Sequence, residues 1–182
     1  MDLRPGSAIL YMKVGTHAQE ELPDILARKN KEIAETGFSM WGYGGNTCHP
    51  TTKVQPFAKA ANQPILLCMQ PMQSRHFADP IRAEEFSKDG IYWNPIPAAI
   101  NVRGSRYALC IDSLTEVNEE IDLRQMRVAI GNSQGLSGSQ YVRGRVDKAC
   151  FEVSDSELGE PILVRIGLTA RIVEPYAVLL RN

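Results

Sequence analysis

The chain has 182 residues, 43% of them hydrophobic and 23% charged, with a formal net charge of −1 at pH 7. These proportions are ordinary for a globular protein and exclude the disordered and membrane-embedded classes. The near-zero net charge supplies no overall field that would draw the protein to a nucleic-acid backbone, so nucleic-acid binding is not expected to be its main activity. The length fits one domain, and residues 1–182 are expected to form a single globular unit.

The sequence gives no sign of a membrane or secreted protein. No apolar run approaches the ~18–20 residues that a membrane-spanning helix needs. Residues 1–6 also lack the basic segment followed by an apolar one that marks a secretory signal. A cytoplasmic protein without a membrane partner is therefore expected. The four cysteines form no Cys-x-x-Cys pair, so we expect neither a bound metal nor a cofactor.

The first half of the chain predicts a strand, a helix, a loop and a second helix, in that order. Residues 7–14 form a short apolar run that predicts a buried strand. A polar segment opens at Thr16 and leads into a predicted helix with Pro23 near its first turn; the stem of Lys29 lies on its apolar face, and Gly37 is suited to end it. The apolar members of that face are Leu22, Ile25, Leu26 and Ile33. A shorter helix is expected through residue 61.

The remainder of the chain is expected to be mainly β. Residues 64–69 predict a buried strand, and the long connection after it contains a short helical stretch around 80–86. Residues 98–102 and 106–114 predict a hairpin across a Gly-Ser turn. The predicted fold class is α+β, with helices mainly in the N-terminal half and a mostly antiparallel sheet or small open β-barrel in the C-terminal half. Strand edges in the second half could be covered in a homodimer.

The stretch at residues 38–50 combines residue types that a simple core strand does not need. Trp41 and Tyr43 offer flat rings for stacking on a base, and the backbone amides of Gly44, Gly45 and Asn46 could form an anion-binding nest. The spacings of a phosphate-binding P-loop and of a Rossmann dinucleotide motif are absent. The alternative is structural: the glycines form a bulged turn and the aromatic rings belong to the core.

Two later segments supply cations that could neutralise phosphates. Arg103 and Arg106 flank the Gly-Ser turn, and Arg143, Arg145 and Lys148 lie within six residues of one another. Each segment taken alone can also be read as a solvated strand face. Together with the glycine–aromatic loop, they indicate a small phosphate-bearing ligand, most simply a nucleotide or a nucleotide-derived signal, which the protein binds or sequesters without transforming it.

Cys48 and His49 are the one place where a thiol and an imidazole are neighbours in the sequence. A hydrolase or transferase that uses Cys48 or His49 is therefore the alternative function. Adjacent residues on a strand point to opposite faces, so this pair need not form a catalytic dyad. Catalysis consequently ranks below binding, and a nucleic-acid-binding module ranks third.

Overall fold

In the computed structural model, ten strands pair into one mixed sheet, and the helices are few and short. The structure describes residues 1–143 and 146–182, and at positions 74 and 76 the backbone alone. The strands are β1 (Ala8–His17), β2 (Ser39–Tyr43), β3 (Ile65–His76), β4 (Glu85–Ser87), β5 (Asn94–Pro95), β6 (Tyr107–Ile111), β7 (Thr115–Asp122), β8 (Met126–Val128), β9 (Lys148–Val153) and β10 (Leu163–Arg181). The helices are α1 (Leu22–Thr36), α2 (Gln55–Ala61), which follows a π-helical turn at Pro50–Val54, and α3 (Gly138–Tyr141); a 3-10 turn occupies Leu123–Gln125.

The strands follow the order β2-β6-β10-β3-β1-β9-β8 across the sheet. β1 and β3 pair in parallel, with Ile9 opposite Leu66, and the other pairs of the described sheet are antiparallel. β10 has 19 residues and also pairs with β7 and β4, while β5 pairs with β4. The long last strand therefore connects both ends of the chain into one sheet.

β1 is a central strand, which explains its continuous apolar run. It lies between β3 and β9, and all five residues from Ala8 to Met12 are buried. Leu10 and Met12 pack in the cluster that includes side chains of α1 and α2, whereas Ile9 and Tyr11 pack in a second cluster on the other face. A strand covered on both faces has no solvent side, so its sequence shows no alternation of polar and apolar residues.

α1 forms as its sequence predicts. Pro23 lies in the first turn, and Gly37 ends the helix with a φ of 85°, its amide donating to the carbonyl of Ile33 at 2.8 Å. Ile25 is buried in the cluster shared with β1, and this packing aims the polar residues of the same helix at the neighbouring end of β1. In the described part of the chain, no helix is long and apolar enough to cross a membrane.

The predicted separation of helices in the N-terminal half from a sheet or small barrel in the C-terminal half is wrong. Strand makes up 42% and helix 19% of the structure, and β1, β2 and β3 belong to the same sheet as the later strands. β1 and β3 are buried on both faces, as strands in the middle of a sheet are. A strand in the middle of a sheet has a neighbour on each edge: β1 and β3 pair with each other, and β9 and β10 pair with their outer edges.

Some local predictions also differ from the structure. Residues 80–86 contain no helix and lead into β4, while residues 98–102 form no strand, so the predicted hairpin is absent from the described chain. β6 pairs instead with β2 and β10. β7, which is rich in carboxylates, is a strand with an exposed face.

Candidate ligand-binding cavity

One cavity, with a volume of about 780 Å³, brings together side chains from several separate parts of the chain. It lies between the C-terminal ends of β1 and β3, one face of α1, the end of β2 with its following loop, the turn at 101–106, and residues 146–148 at the start of β9. The volume falls in the range of roughly 300–1,000 Å³ that is typical of small-molecule sites. The fold therefore places a ligand-sized space where these six segments meet.

Both segments singled out in the sequence line this cavity. Trp41, Tyr43, Gly44, Gly45 and Asn46 form one part of its wall. Arg103 and Arg106 contribute from the turn at 101–106, which lies beside β2 because the amide of Arg106 donates to the carbonyl of Tyr43 at 3.2 Å. Their proximity was not visible in the sequence, where about sixty residues separate the two segments.

The second pair of predicted arginines does not join this group in the described structure. Arg143 is exposed and its Nε donates to the carbonyl of Ser139 at 3.1 Å, and it is not among the residues that line the cavity. Arg145 lies outside the described residues. Of this predicted segment, Lys148 lines the cavity.

Trp41 and Tyr43 are core residues whose edges border the cavity. Their exposed fractions are 5% and 4%. The Tyr43 ring packs on the Tyr107 ring at 5.5 Å between centroids, and its hydroxyl donates to the carbonyl of Cys48 at 2.7 Å. A 5% exposure of a side chain of at most about 250 Å² leaves roughly 10 Å², far less than one ring face. Base stacking on these two rings stays a prediction, and the burial favours the structural alternative.

The glycines of the loop have distinct roles. Gly45 has a φ of 83°, and a Cβ placed on it would lie 3.3 Å from Nζ of Lys148. That lysine is buried and forms an ion pair with Asp147 at 2.5 Å. Gly44 faces open space, and Gly42 lies directly against Ser105. The loop therefore passes close to the buried ammonium group of Lys148.

Cations outnumber carboxylates among the cavity residues. Among the described residues, seven lysine and arginine side chains line it: Lys13, Arg28, Lys29, Arg75, Arg103, Arg106 and Lys148. The described carboxylates that line it are those of Glu20 and Asp147. Both carboxylates already have ion-pair partners, and four of the cations form no ion pair with any described carboxylate, namely Lys13, Arg75, Arg103 and Arg106. A concave surface with an excess of one sign concentrates counter-ions, so this excess of cations favours an anionic ligand.

A buried ionic network lies beneath one wall of the cavity. The carboxylate of Glu32 accepts hydrogen bonds from Arg28 at 3.0 Å, Lys29 at 2.9 Å, Ser39 at 2.5 Å and the amide of Asn101 at 3.0 Å. Lys29 and Glu32 are each only 2% exposed. Burial lowers the pKa of Lys29 to about 8, against the opposing effect of Glu32. The network ties α1 to the turn at 101–106.

His17 and Ser105 lie within hydrogen-bonding distance inside the cavity, but not as a base and a nucleophile. Nε2 of His17 is 3.1 Å from the carbonyl oxygen of Arg103 and 3.2 Å from Oγ of Ser105. Because a carbonyl can only accept, we assign the proton to Nε2 from this network. Oγ of Ser105 in turn donates to the same carbonyl at 3.0 Å. In this state Nε2 has no lone pair with which to take a proton from Ser105.

Cys48 and His49 are also not arranged as a dyad. Cys48 is 1% exposed, and its Sγ lies 4.0 Å from that of Cys150. Nδ1 of His49 is 3.2 Å from Oγ1 of Thr51, and its ring meets Tyr107 edge-on at 5.1 Å. No hydrogen bond joins Cys48 to His49 within the described residues, so the enzyme alternative stays a prediction that this geometry does not favour.

Several cavity residues were missed in the sequence because they come from elements with other apparent roles. Lys13 lies in an apolar strand, and Arg28 and Arg75 lie in a helix and a strand that carry no motif. The one usable signal was Lys29, a charged residue on the apolar face of α1.

Comparison of the chain with protein-family models, with curated proteins and with solved structures gives no match. The function is therefore inferred from the cavity itself.

Proposed function

We propose that the cavity binds a small phosphate-bearing ligand, most simply a nucleotide or a nucleotide-derived signal, and holds it without transforming it. The observation that carries this proposal is the excess of cations over carboxylates in the cavity wall. Lys13 and Arg103 matter most, because they are half-buried and have no ion-pair partner among the described residues. A phosphate carries about −1.5 to −2 charges at neutral pH and would complement them.

The size and the backbone of the cavity support a nucleotide rather than a lone ion. A space of about 780 Å³ is much larger than a single phosphate needs. The loop at Gly44 and Gly45 offers amides beside Lys148, while apolar atoms of Met12, Val14 and Ile25 also line the wall. A ligand with a charged part and a flat or apolar part matches this mixture.

Binding without chemistry is supported by the state of the nucleophilic side chains near the cavity. The hydroxyl of Ser105 faces a protonated imidazole nitrogen, and the thiol of Cys48 is buried against Cys150. In the tautomer assigned to His17, no described residue is placed as a general base for either side chain. A protein that binds a nucleotide tightly and releases it unchanged would act by sequestration.

A ligand panel tests this proposal. The purified protein is heated with adenosine and guanosine mono-, di- and triphosphates, cyclic AMP and GMP, a cyclic dinucleotide and NAD. A ligand at 100 times its Kd adds about 2.7 kcal/mol, which is a Tm rise of roughly 5–10 °C for a chain of this size. The bound compound is then recovered by denaturation: unchanged compound supports binding, altered compound indicates an enzyme, and no Tm shift by any compound refutes the proposal.

Two lysines provide a matched comparison. Lys13→Gln removes an unpaired cation from the cavity and should weaken binding of the strongest panel ligand about fivefold, the equivalent of a partly exposed charge pair of about 1 kcal/mol. Lys59→Gln removes an exposed cation from α2, away from this cavity, and should leave the Kd unchanged. Equal losses in both variants would point to non-specific attraction. Nucleic-acid binding, with its steep salt dependence, and homodimer formation remain further predictions.

A further inference from the structure

We infer that Arg103 binds the phosphate of the ligand through Nη1 and Nη2, at the end of its guanidinium group. Asn101 is a positioning residue that holds this guanidinium in the orientation that binding needs. This inference rests on the proposed function and assigns the phosphate-binding position within the cavity. It also accounts for the buried charges of α1. Burying charged side chains costs desolvation free energy, so their only role need not be to attach the helix to the turn.

The guanidinium of Arg103 is fixed at one side and open at the other. Its Nε donates to Oδ1 of Asn101 at 3.2 Å. Within the described residues, Nη1 and Nη2 have no hydrogen-bond partner, although the side chain lines the cavity and is half-buried. These two nitrogens form a planar fork that matches two oxygens on one phosphorus atom. With Nε engaged, a phosphate would bind to this end of the fork.

Asn101 is itself held by three charged residues of α1. Its backbone amide donates to Oε1 of Glu32 at 3.0 Å. Its backbone carbonyl accepts from Nζ of Lys29 at 2.8 Å and from Nη1 of Arg28. Lys29 and Glu32 are fully surrounded by protein. Hydrogen bonds to charged groups are among the stronger ones in proteins. The backbone of Asn101 is therefore fixed by the helix, and its side chain starts from this fixed point to reach Nε of Arg103.

The turn is also fixed on the side away from α1. In the tautomer assigned above, Nε2 of His17, at the end of β1, donates to the carbonyl of Arg103, which also accepts from Ser105 within the same turn. Gly104 adopts a φ of 59°, and a Cβ there would lie 2.8 Å from the carbonyl of Asp79. The backbone on both sides of Arg103 is thus constrained, which lowers the entropy lost when its side chain binds an anion.

Arg106 provides the contrast and the control. It lies in the same turn and lines the same cavity, but its side chain is exposed and its guanidinium lies 5.6 Å from the centre of the Tyr107 ring. Within the described residues no hydrogen bond orients it. Arg106 can add to the local field, whereas Arg103 has the fixed geometry that two-point recognition needs.

The test compares lysine substitutions at the two positions, using inorganic phosphate and AMP as probes and acetate as the carboxylate probe. Arg103→Lys keeps the charge but loses the fork, so it should weaken phosphate and AMP binding about tenfold or more. Arg106→Lys should change either Kd less than about threefold. If Arg103→Lys binds like wild type, or if Arg106→Lys is the weaker binder, the inference fails while the proposed function stands. Acetate binding as tight as phosphate binding would also overturn it.

The positioning role of Asn101 has a readout that needs no ligand. In the NMR spectrum of the wild type, the Nε–H of Arg103 should be protected from exchange with water by its hydrogen bond to Oδ1. Asn101→Leu removes this acceptor at similar volume and should abolish the protection and weaken AMP binding, with the Tm almost unchanged. Asn101→Asp keeps the acceptor and should restore the protected signal. If Asn101→Leu retains both the signal and the affinity, Asn101 does not position Arg103.

Discussion

Substituting Gly42 by alanine tests how closely β2 and the turn at 101–106 must approach each other. A Cβ on Gly42 would lie 2.3 Å from Oγ of Ser105, 2.9 Å from its Cβ and 3.0 Å from Cγ1 of Val102. Ordinary contacts are about 3.5–4.0 Å, so the turn must move or Ser105 must rotate. Overpacking of this kind costs about 1–3 kcal/mol. Loss of the Ser105 hydrogen bond to Arg103 adds about 1 kcal/mol.

We therefore expect Gly42→Ala to lower the free energy of unfolding by about 2–4 kcal/mol, measured by urea titration. Gly44→Ala is the matched control in the same loop, because a Cβ there meets nothing within 4 Å. It should be neutral or stabilise by up to about 1 kcal/mol. Adding Ser105→Gly to Gly42→Ala removes both clashing atoms and should recover part of the loss. Equal stability of Gly42→Ala and wild type, or no recovery in the double variant, would refute the close approach.

Three further predictions concern buried side chains. Trp41→Ala should cost about 3–5 kcal/mol of unfolding free energy without any ligand, and a loss under about 1 kcal/mol would show that the ring is not core. Glu32→Gln should lower the free energy of unfolding by about 3–5 kcal/mol, because it leaves Lys29 without its carboxylate. The control Glu35→Gln, on the exposed side of α1, should lower it by under about 0.5 kcal/mol in the same titration. Similar losses in the two variants would contradict the buried network. The pKa of Lys29 is lowered by burial from 10.5 to about 8, so above pH 8 the unfolded chain binds more protons than the folded protein. The free energy of unfolding of wild type, relative to that of Lys29→Met, should therefore rise by about 3 kcal/mol between pH 7 and 10. A difference that does not change with pH would refute the lowered pKa.

Local patterns predicted the elements that local forces form. α1 has its apolar face and its glycine cap within one stretch of sequence, and β1 is recognisable as a continuous apolar run. The same holds for the start of β3. These signals depend on residues close together in the chain, so no knowledge of distant partners is needed to read them.

Pairing between distant segments could not be read in this way. β1 and β3 belong to one sheet with β9 and β10, yet their sequences state only that both faces are covered, not by which strands. The turn at 101–106 has the residue types of a hairpin, but its neighbours are β2 and α1. A short apolar run pairs equally well with many others, and the register is decided by the packing of the whole sheet.

The cavity shows the same division. The residue types at 41–46 and at Arg103 and Arg106 predicted an anion-binding surface from their chemistry alone, and the structure brings them to one wall. The sequence could not predict that Trp41 and Tyr43 are buried. The same residue types serve to stack on a ligand and to fill a core, so the residue type alone does not distinguish the two roles.

By itself, the sequence determined that this chain has a strand followed by a capped helix, and that it carries glycine, aromatic and arginine residues suited to a phosphate. Only the tertiary structure decided that the loop and the turn share a cavity, that Lys29 and Glu32 are buried beneath it, and that Asn101 reaches Arg103. Periodicity and capping act over a few residues, whereas a cavity forms where segments far apart in the chain come together, and their meeting depends on the free energy of the entire sheet.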